Sequence, residues 1–321
     1  MQVLQGLNGL RQLPKGSILS VGNFDGLHLG HQEILRRAKT LRDKSAGAQL
    51  AVVTFEPHPM TVLKPELAPP RLTPPGLKQS LLRTAGVDHL VILPPEPAVL
   101  NLTAEQFWAI LRDEVKPTHM VEGQSFNFGR ARTGTIDKLR EWAAASAVNL
   151  AIVDPVEVAL LDFTVVPVSS SFIRWLLARG RVRDAAICMG RTYVLEGEVV
   201  RGHQRGNGIG VPTANLRPDG QLVPADGVYA GRCNVDGVTY PVALSVGTMP
   251  TFGPNERQVE VHLIGFAADL YGKRIAVEFV DWVREQSKFK SIDALKQQLA
   301  RDIAYCAERA GINPTLPLAT A

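Results

Sequence analysis

The sequence predicts two folds in succession: an α/β half with a doubly wound parallel sheet, then a small antiparallel β-barrel followed by a C-terminal helix. In the first half, short apolar runs alternate with segments whose apolar residues recur at helical spacing. Such alternation is typical of a parallel sheet with helices on both faces. Past Arg191 the segments become β-rich and turn-punctuated, and Asp236-Gly237 between two of them predicts a tight hairpin.

The individual elements follow from the positions of these runs. In the first half we predict strands at 17–21, 50–55, 89–93, 119–121 and 150–153, and helices at 31–43, 76–85, 103–115, 135–145, 171–178 and 182–189. In the second half we predict strands at 193–201, 227–235, 238–246, 258–266 and 274–283, and a last helix that begins after Ser291. The change of pattern divides the chain into domains 1–187 and 188–321.

Composition narrows the classes of function. A chain of 321 residues, 45% hydrophobic and 21% charged, is typical of a soluble protein with two cores. It has no apolar run of ~18 residues and no signal peptide at its start, so we predict no membrane partner. Three distant cysteines indicate reduced thiols in the cytoplasm and no metal-binding spacing. A formal net charge of +4 without a clustered basic stripe argues against a nucleic-acid partner.

One informative stretch, Gly22-Asn-Phe-Asp-Gly-Leu-His-Leu-Gly-His31, joins a predicted strand to a predicted helix. A helix start presents unpaired N–H groups and a positive dipole end, which suit a phosphate group. His28 and His31 are three residues apart, so on the first helical turn they share one face. On composition alone, an ordinary turn with two half-exposed histidines remains the alternative.

A second informative stretch spans 197–215. Its four glycines Gly202, Gly206, Gly208 and Gly210 provide a backbone that can wrap around phosphates. Thr213 and Asn215 alternate along an extended segment and project to one face, where their oxygen atoms suit Mg²⁺. A glycine-rich turn without a ligand is the alternative reading of the glycines.

These two stretches closely resemble the prokaryotic bifunctional riboflavin kinase/FAD synthetases. The resemblance extends to the segments 54–59, 122–129, 168–174, 245–252 and 258–263. It implies that the first domain is a Rossmann-like nucleotidyltransferase and the second a riboflavin kinase barrel. The implied reactions are phosphorylation of riboflavin to FMN and adenylylation of FMN to FAD with release of pyrophosphate. ATP and Mg²⁺ would serve both reactions, and the oligomeric state is left open.

The resemblance also implies residue roles. Catalysis falls to His28, His31 and Arg174 in adenylyl transfer and to Glu260, which orients the riboflavin hydroxyl. The implied nucleotide-binding residues are Gly22, Asn23, Phe24, Asp25, Ser170, Ser171, Gly206, Gly210, Thr213 and Asn215, the last two also binding the metal. The implied flavin-binding residues are His58, Phe128 and Arg284. Read without the family, the serines can equally cap a helix, and His58 can be structural.

Five positions depart from the family pattern. Ser125, Asn127 and Thr135 stand where relatives mostly carry Asp or Asn, Arg, and Asp, while Asn207 and Met249 replace an Arg and a polar or basic residue. The first three favour, as an alternative, a riboflavin kinase whose adenylyltransferase half is impaired. A regulator that binds flavin or nucleotide without chemistry is a further alternative.

Overall fold

The computed structural model describes residues 1–201, 211–248 and 257–311. The chain divides into two compact units, one of Met1–Pro69 with Pro75–Glu157 and one of Pro70–Pro74 with Val158–Ala321. The strands are β1 (Gln2–Gln5), β2 (Ile18–Val21), β3 (Leu50–Phe55), β4 (His89–Leu93), β5 (His119–Gly123), β6 (Asn127–Phe128), β7 (Gly134–Thr135), β8 (Asn149–Val153), β9 (Glu157–Ala159), β10 (Val165–Pro167), β11 (Tyr193–Val200), β12 (Ala214–Pro218), β13 (Gly227–Val235), β14 (Val238–Thr248), β15 (Arg257–Leu263) and β16 (Arg274–Arg284). The helices are α1 (Gly6–Arg11), α2 (Leu29–Lys44), α3 (Met60–Leu63), α4 (Pro75–Thr84), α5 (Pro97–Leu100), α6 (Ala104–Ala109), α7 (Ile136–Ala144), α8 (Ser170–Leu177), α9 (Val182–Met189) and α10 (Ile292–Ala310).

The first unit is built on a parallel sheet of six strands in the order β1-β4-β3-β2-β5-β8. Its central strands β2 and β3 are mostly apolar and are buried on both faces, which is expected when helices cover both faces of the sheet. The predicted parallel sheet is therefore confirmed. The turn before α2 and the segment after β3 both follow carboxyl ends of strands, where ligands bind in sheets of this type.

Several features of the first unit were not predicted, among them strand β1 and the π-helical turn after α6. Strand β1 pairs with β4 at the edge of the sheet, and three of its four side chains are exposed, so it has no apolar run. The predicted helix over 103–115 is instead α6 followed by a π-helical turn, Ile110–Val115, which ends where Lys116 takes a left-handed φ of 53°. A capping box of Thr103 and Gln106 opens α6.

The second unit contains a closed antiparallel barrel in the order β11-β12-β15-β14-β13-β16. Along β15 and most of β14, buried residues that fill the barrel alternate with more exposed ones. Asp236 and Gly237, with φ of 50° and 87°, form the predicted hairpin turn between β13 and β14. Helix α10 begins after Ser291, whose Oγ accepts the Ala294 N–H at 3.1 Å. The barrel and the C-terminal helix are thus confirmed.

All three cysteines of the chain are buried free thiols. Burial raises the pKa of Cys188 and of Cys306 to about 12 and that of Cys233 to about 11. They therefore contribute to the core as small apolar side chains. Across the described ranges, no helix combines the length and the apolar character that crossing a membrane requires.

Candidate active sites

The turn between β2 and α2 is strained where it carries its two histidines. Phe24 and Leu27 adopt left-handed φ of 47° and 37°, a region that non-glycine residues rarely occupy. His28 is the N-cap of α2, and its Nδ1 accepts the His31 N–H at 3.4 Å. The two imidazole rings stack with their centroids 3.7 Å apart. The side chain of Asp25 is buried in the same turn, and the Gly22 N–H donates to the Val53 carbonyl at 2.9 Å.

The imidazole of His31 is held in its neutral form. Burial is the largest cause that keeps the pKa of His31 well below its ordinary value, and the nearby His28 and Lys78 lower this pKa further. Within the described part of the chain, the enclosed His31 Nδ1 makes no hydrogen bond. Because the His28 Nδ1 accepts a backbone N–H, the neutral His28 ring carries its proton on Nε2. The turn therefore offers neutral hydrogen-bond donors beside the start of a helix.

Polar contacts join this turn to the end of β3. Thr54 Oγ1 donates to the Asn23 carbonyl at 3.0 Å, and the His58 Nε2 lies 3.1 Å from the Asn23 side-chain amide. The Met60 N–H donates to the His58 Nδ1 at 3.2 Å, so a neutral His58 carries its proton on Nε2. Asn23 and His58, assigned to different ligands by the sequence, are therefore in contact.

A buried ion pair lies in the same region. Lys78 Nζ is 3.1 Å from the Glu56 Oε2, and the two side chains are only 7% and 18% exposed. Lys78 is also among the charges that lower the pKa of His31, so its ammonium group acts on the histidine pair. The sequence did not single out Lys78, because a lysine in an amphipathic helix usually faces solvent.

The three serines at 169–171, in the second unit, do not occupy equivalent positions at the start of α8. The Ser169 Oγ accepts the Phe172 N–H at 3.2 Å and caps α8. Ser170 and Ser171 follow as the first helical residues. Arg174, one turn further, donates from Nε to the Pro70 carbonyl at 2.8 Å. The capping role thus belongs to Ser169, and the two serines assigned to the nucleotide lie beyond the cap.

The segment that departs from the family pattern forms a small hairpin. Asn127 on β6 stands opposite Thr135 on β7, and the Asn127 Nδ2 donates to the Ser125 carbonyl at 2.7 Å. Phe128 is buried and packs against its aromatic neighbours Phe107, Phe126 and Trp142 with ring centroids 5.3 to 6.1 Å away. Its predicted stacking on the flavin stays a prediction, since the structure places this ring in the core.

On the barrel, three polar residues lie side by side on neighbouring strands. Asn215 on β12 stands opposite Glu260 on β15, which stands opposite Ser245 on β14. Residues paired in this way project to the same side of the wall, and here their sequence neighbours fill the barrel interior. The Gln286 Nε2 closes one end of the row by donating to the Ser245 Oγ at 3.1 Å and to the Val246 carbonyl at 3.0 Å. Two predicted site residues, Asn215 and Glu260, are thus brought together on the outer face.

Other residues predicted for the second site are not part of this row. Arg284 forms an ion pair with the buried Asp302 of α10, with a shortest distance of 2.7 Å. Thr213 immediately precedes β12. The predicted nucleotide-binding residues Gly206 and Gly210, and the departures Asn207 and Met249, lie outside the described residues.

The barrel row fits a magnesium ion by its donor chemistry. Among the residues that the structure describes, no group of three or more His, Cys, Asp or Glu side chains is arranged to hold a metal. Mg²⁺, however, prefers few protein oxygen ligands and completes its shell with water and substrate phosphates. The oxygen atoms of Asn215 and Glu260 and the hydroxyl of Thr213 are ligands of this kind.

Comparisons with known proteins agree with the two folds. The family profile described as FAD synthetase matches residues 10–164, and the one described as riboflavin kinase matches residues 189–310. A bifunctional riboflavin kinase/FMN adenylyltransferase of Pseudomonas fluorescens is 35% identical over 95% of this chain and 96% of that protein. The chain belongs to this bifunctional family. A family member from Bacillus subtilis is 32% identical over 89% of this chain and 90% of its own length.

The fold also recurs in a solved structure. A crystal structure described as a macrolide-efflux protein from Streptococcus pneumoniae matches with a TM-score of 0.84 and 30% identity. The match covers 96% of this chain and 99% of that one. That protein therefore has the same fold as this chain over nearly the whole length of both.

Three residues beside the two candidate sites were not identified by the sequence analysis. Lys78 and Gln286 make the contacts given above, and the His262 Nδ1 lies 2.7 Å from the Pro212 carbonyl. All three contacts join residues brought together by folding, so local spacing carries no signal for them. For His262 one signal was available: it follows Glu260 by two residues, which places both on one face of a strand.

Proposed function

We propose that this chain converts riboflavin to FAD in two consecutive reactions. The riboflavin kinase barrel transfers the γ-phosphoryl group of ATP to riboflavin and forms FMN. The α/β half transfers AMP from a second ATP to FMN, which forms FAD and releases pyrophosphate. The observation that carries this proposal is the match of both family profiles within a chain that aligns with bifunctional relatives over nearly its full length.

In the kinase reaction, Glu260 orients the ribityl 5′-hydroxyl of riboflavin towards the γ-phosphate. Positioning matters more than full removal of the proton, because phosphoryl transfer passes through a loose transition state. Thr213 and Asn215 hold the phosphates beside it. The pairing of Asn215 with Glu260 supports this assignment, because the two side chains lie side by side on neighbouring strands. Mg²⁺, held by Thr213 and Asn215, would neutralise the phosphate charge.

In the adenylyl transfer, the α2 N-terminus and the neutral imidazoles of His28 and His31 donate hydrogen bonds to the phosphates of ATP. These donors are pre-oriented by the stack and the cap, so they stabilise charge without reorganising. Lys78 adds positive charge near the imidazoles. Asn23 and His58 sit at the strand ends beside them and contact the nucleotide and the flavin. Arg174 retains the phosphate role that the family pattern assigns to it.

One incubation tests the proposal. The purified chain is mixed with riboflavin, ATP and Mg²⁺, and the flavins are separated by chromatography. Formation of FAD is the expected result. Unchanged riboflavin would refute the proposal and favour a binding protein without chemistry. A parallel incubation with EDTA is expected to abolish both reactions if a divalent cation is required.

A riboflavin kinase with an impaired adenylyltransferase half is the second candidate. It is favoured by the hairpin that carries Ser125, Asn127 and Thr135. These residues differ from the family pattern, and the Asn127 amide is used in a hydrogen bond within the protein, to the Ser125 carbonyl. Accumulation of FMN without FAD in the same incubation would select it. The FAD-forming reaction can be tested alone by supplying FMN and ATP.

The domain assignment and the location remain part of the proposal. We place the boundary between the two catalytic modules at 187/188, which is supported by the start of the riboflavin kinase match at residue 189. We place the protein in the cytoplasm, as its unpaired cysteines suggest. Riboflavin, FMN and ATP are its proposed small-molecule partners.

A further inference from the structure

Strand β15 carries a second polar residue beside Glu260. Val259, Val261 and Leu263 are buried in the barrel core, whereas Glu260 and His262 are partly exposed on the opposite face. Residues two apart on a strand are roughly 7 Å from each other along its axis. His262 is therefore the next side chain along the outer face from Glu260.

The contact of His262 lies where the backbone pairing of β12 stops. The paired segment runs from Ala214 to Leu216. Pro212 has no N–H, so it cannot donate in a further rung of the ladder. Its carbonyl instead lies 2.7 Å from the Nδ1 of His262. Because a carbonyl only accepts, the imidazole must carry a proton on Nδ1 and donate it.

This hydrogen bond anchors the residue next to Thr213. Thr213 lies between the anchored Pro212 carbonyl and the first ladder residue, Ala214. The segment carrying Thr213 is thus held to β15 at both ends, by the ladder on one side and by the imidazole on the other. Without the imidazole, only the backbone pairing that begins at Ala214 would hold this segment to β15.

We propose that His262 is a positioning residue of the riboflavin kinase site, which fixes Thr213 relative to Glu260 by holding the Pro212 carbonyl. The inference rests on the proposed kinase function and deepens it. The expected consequence is that loss of His262 weakens the binding of the nucleotide and its cation but not the binding of the flavin. Residues that orient a ligand of this kind contribute about 10–100-fold to affinity or activity.

Three substitutions of His262 test the proposal in the full chain. His262→Ala removes the donor. His262→Asn restores it, because the asparagine amide nitrogen is as many bonds from Cβ as the histidine Nδ1. His262→Gln places its amide nitrogen one bond further out and loses the geometry while keeping a polar side chain. The matched control is His119→Ala, since the His119 Nδ1 lies 3.2 Å from the hydroxyl of its sequence neighbour Thr118.

Kinase rates are measured while ATP, Mg²⁺ and riboflavin are varied separately. His262→Ala and His262→Gln are expected to raise the KM for ATP and the Mg²⁺ concentration for half-maximal rate by about 10-fold or more. The KM for riboflavin should change much less, and His262→Asn should recover most of the loss. Formation of FAD from supplied FMN should stay unchanged in every variant, as should both reactions in His119→Ala.

Three results would overturn the proposal. The first is unaltered ATP and Mg²⁺ dependence in His262→Ala and His262→Gln. The second is an equal loss in His262→Asn and His262→Gln, and the third is a loss of kcat alone; either of these would indicate a general structural role. Failure of the wild-type chain to form FMN would refute the proposed function instead, so the two failures are distinguishable.

Discussion

Arg284 and Asp302 form an ion pair that ties the end of β16 to the C-terminal helix. The guanidinium Nε lies 3.1 Å from both carboxylate oxygens, and one terminal nitrogen lies 2.7 Å from Oδ2. Asp302 is 4% exposed, and Gln298 donates to its Oδ1 at 2.8 Å. Because several donors converge on one buried carboxylate, the pair holds the Arg284 side chain against α10.

Removing one member of this pair should be costly. We expect Asp302→Ala to lower the free energy of unfolding of the barrel unit by roughly 3 kcal/mol, because it leaves the Arg284 charge partly buried and unpaired. Denaturant unfolding measures the effect, and the double variant with Arg284→Met should recover part of the loss. A cost that simply adds in the double variant would show that the two side chains are not coupled.

His31→Ala should separate the two activities. We expect at least about a 100-fold loss of FAD formation from FMN, because a pre-oriented donor to the phosphates is lost. FMN formation from riboflavin should be unaffected. The assay follows both products by chromatography in the same samples. If a folded His31→Ala protein lost both activities, the assignment of adenylyl transfer to the α/β half would be wrong.

Glu260→Gln should produce the converse pattern. The amide keeps the size of the side chain but loses the charged acceptor that orients the riboflavin hydroxyl, so FMN formation should fall by about 10²-fold or more. FAD formation from supplied FMN should remain at the wild-type rate. Arg217→Ala serves as control, because its guanidinium pairs with Glu198 on the exposed surface of the barrel. A kinase-active Glu260→Gln would remove Glu260 from the mechanism.

Glu122 should make the stability of the fold depend on pH. Its carboxylate accepts the Val21 N–H at 2.8 Å and is 1% exposed, and burial raises its pKa well above the ordinary value of 4.5. The folded protein therefore retains a proton that the unfolded chain releases above about pH 4.5, and this group lowers stability as the pH rises from there to the folded-state pKa. Glu122→Gln cannot ionise. It should be more stable than wild type at pH 8, with a difference that shrinks towards pH 4.5 in denaturant unfolding, and a gap that stays constant with pH would contradict this.

Gly231 marks a close approach of two barrel strands. A Cβ at this position would overlap the Glu278 carbonyl oxygen of β16 and press on Leu244 inside the barrel. Because the first of these is backbone and cannot move aside, Gly231→Ala should cost about 3 kcal/mol in unfolding free energy. Gly76→Ala, where a Cβ meets no atom within 4 Å, is the matched control and should change stability by less than about 1 kcal/mol. Equal stabilities of the two variants would rule out the close packing.

Periodicity predicted the longer elements that bury a face, and missed short ones such as α1 and the edge strand β1. The central strands and α2 were predicted because their apolar residues must pack. Strand β1 escaped because, as an edge strand with one buried side chain, it has no pattern to read. The π-helical turn after α6 was missed for a different reason: its spacing of apolar residues is nearly that of an α-helix, and only the hydrogen bonds distinguish the two.

The candidate sites show the same division. His28 and His31 could be paired from the sequence because they are neighbours on one helical turn. The pairing of Asn215 with Glu260 depends on the register of β12 against β15, which sequence spacing does not specify. The aromatic packing around Phe128 could not be predicted either, because the neighbours that enclose its ring are brought together by folding, and its stacking on the flavin stays a prediction.

The three enclosed thiols make the chain convenient for site-directed probes. At neutral pH a thiol whose pKa lies at about 11 to 12 is almost wholly protonated, and only the thiolate reacts with maleimides. A cysteine introduced on the surface of either unit would therefore be labelled ahead of the native ones. Dyes could be attached to the folded enzyme without first replacing Cys188, Cys233 or Cys306.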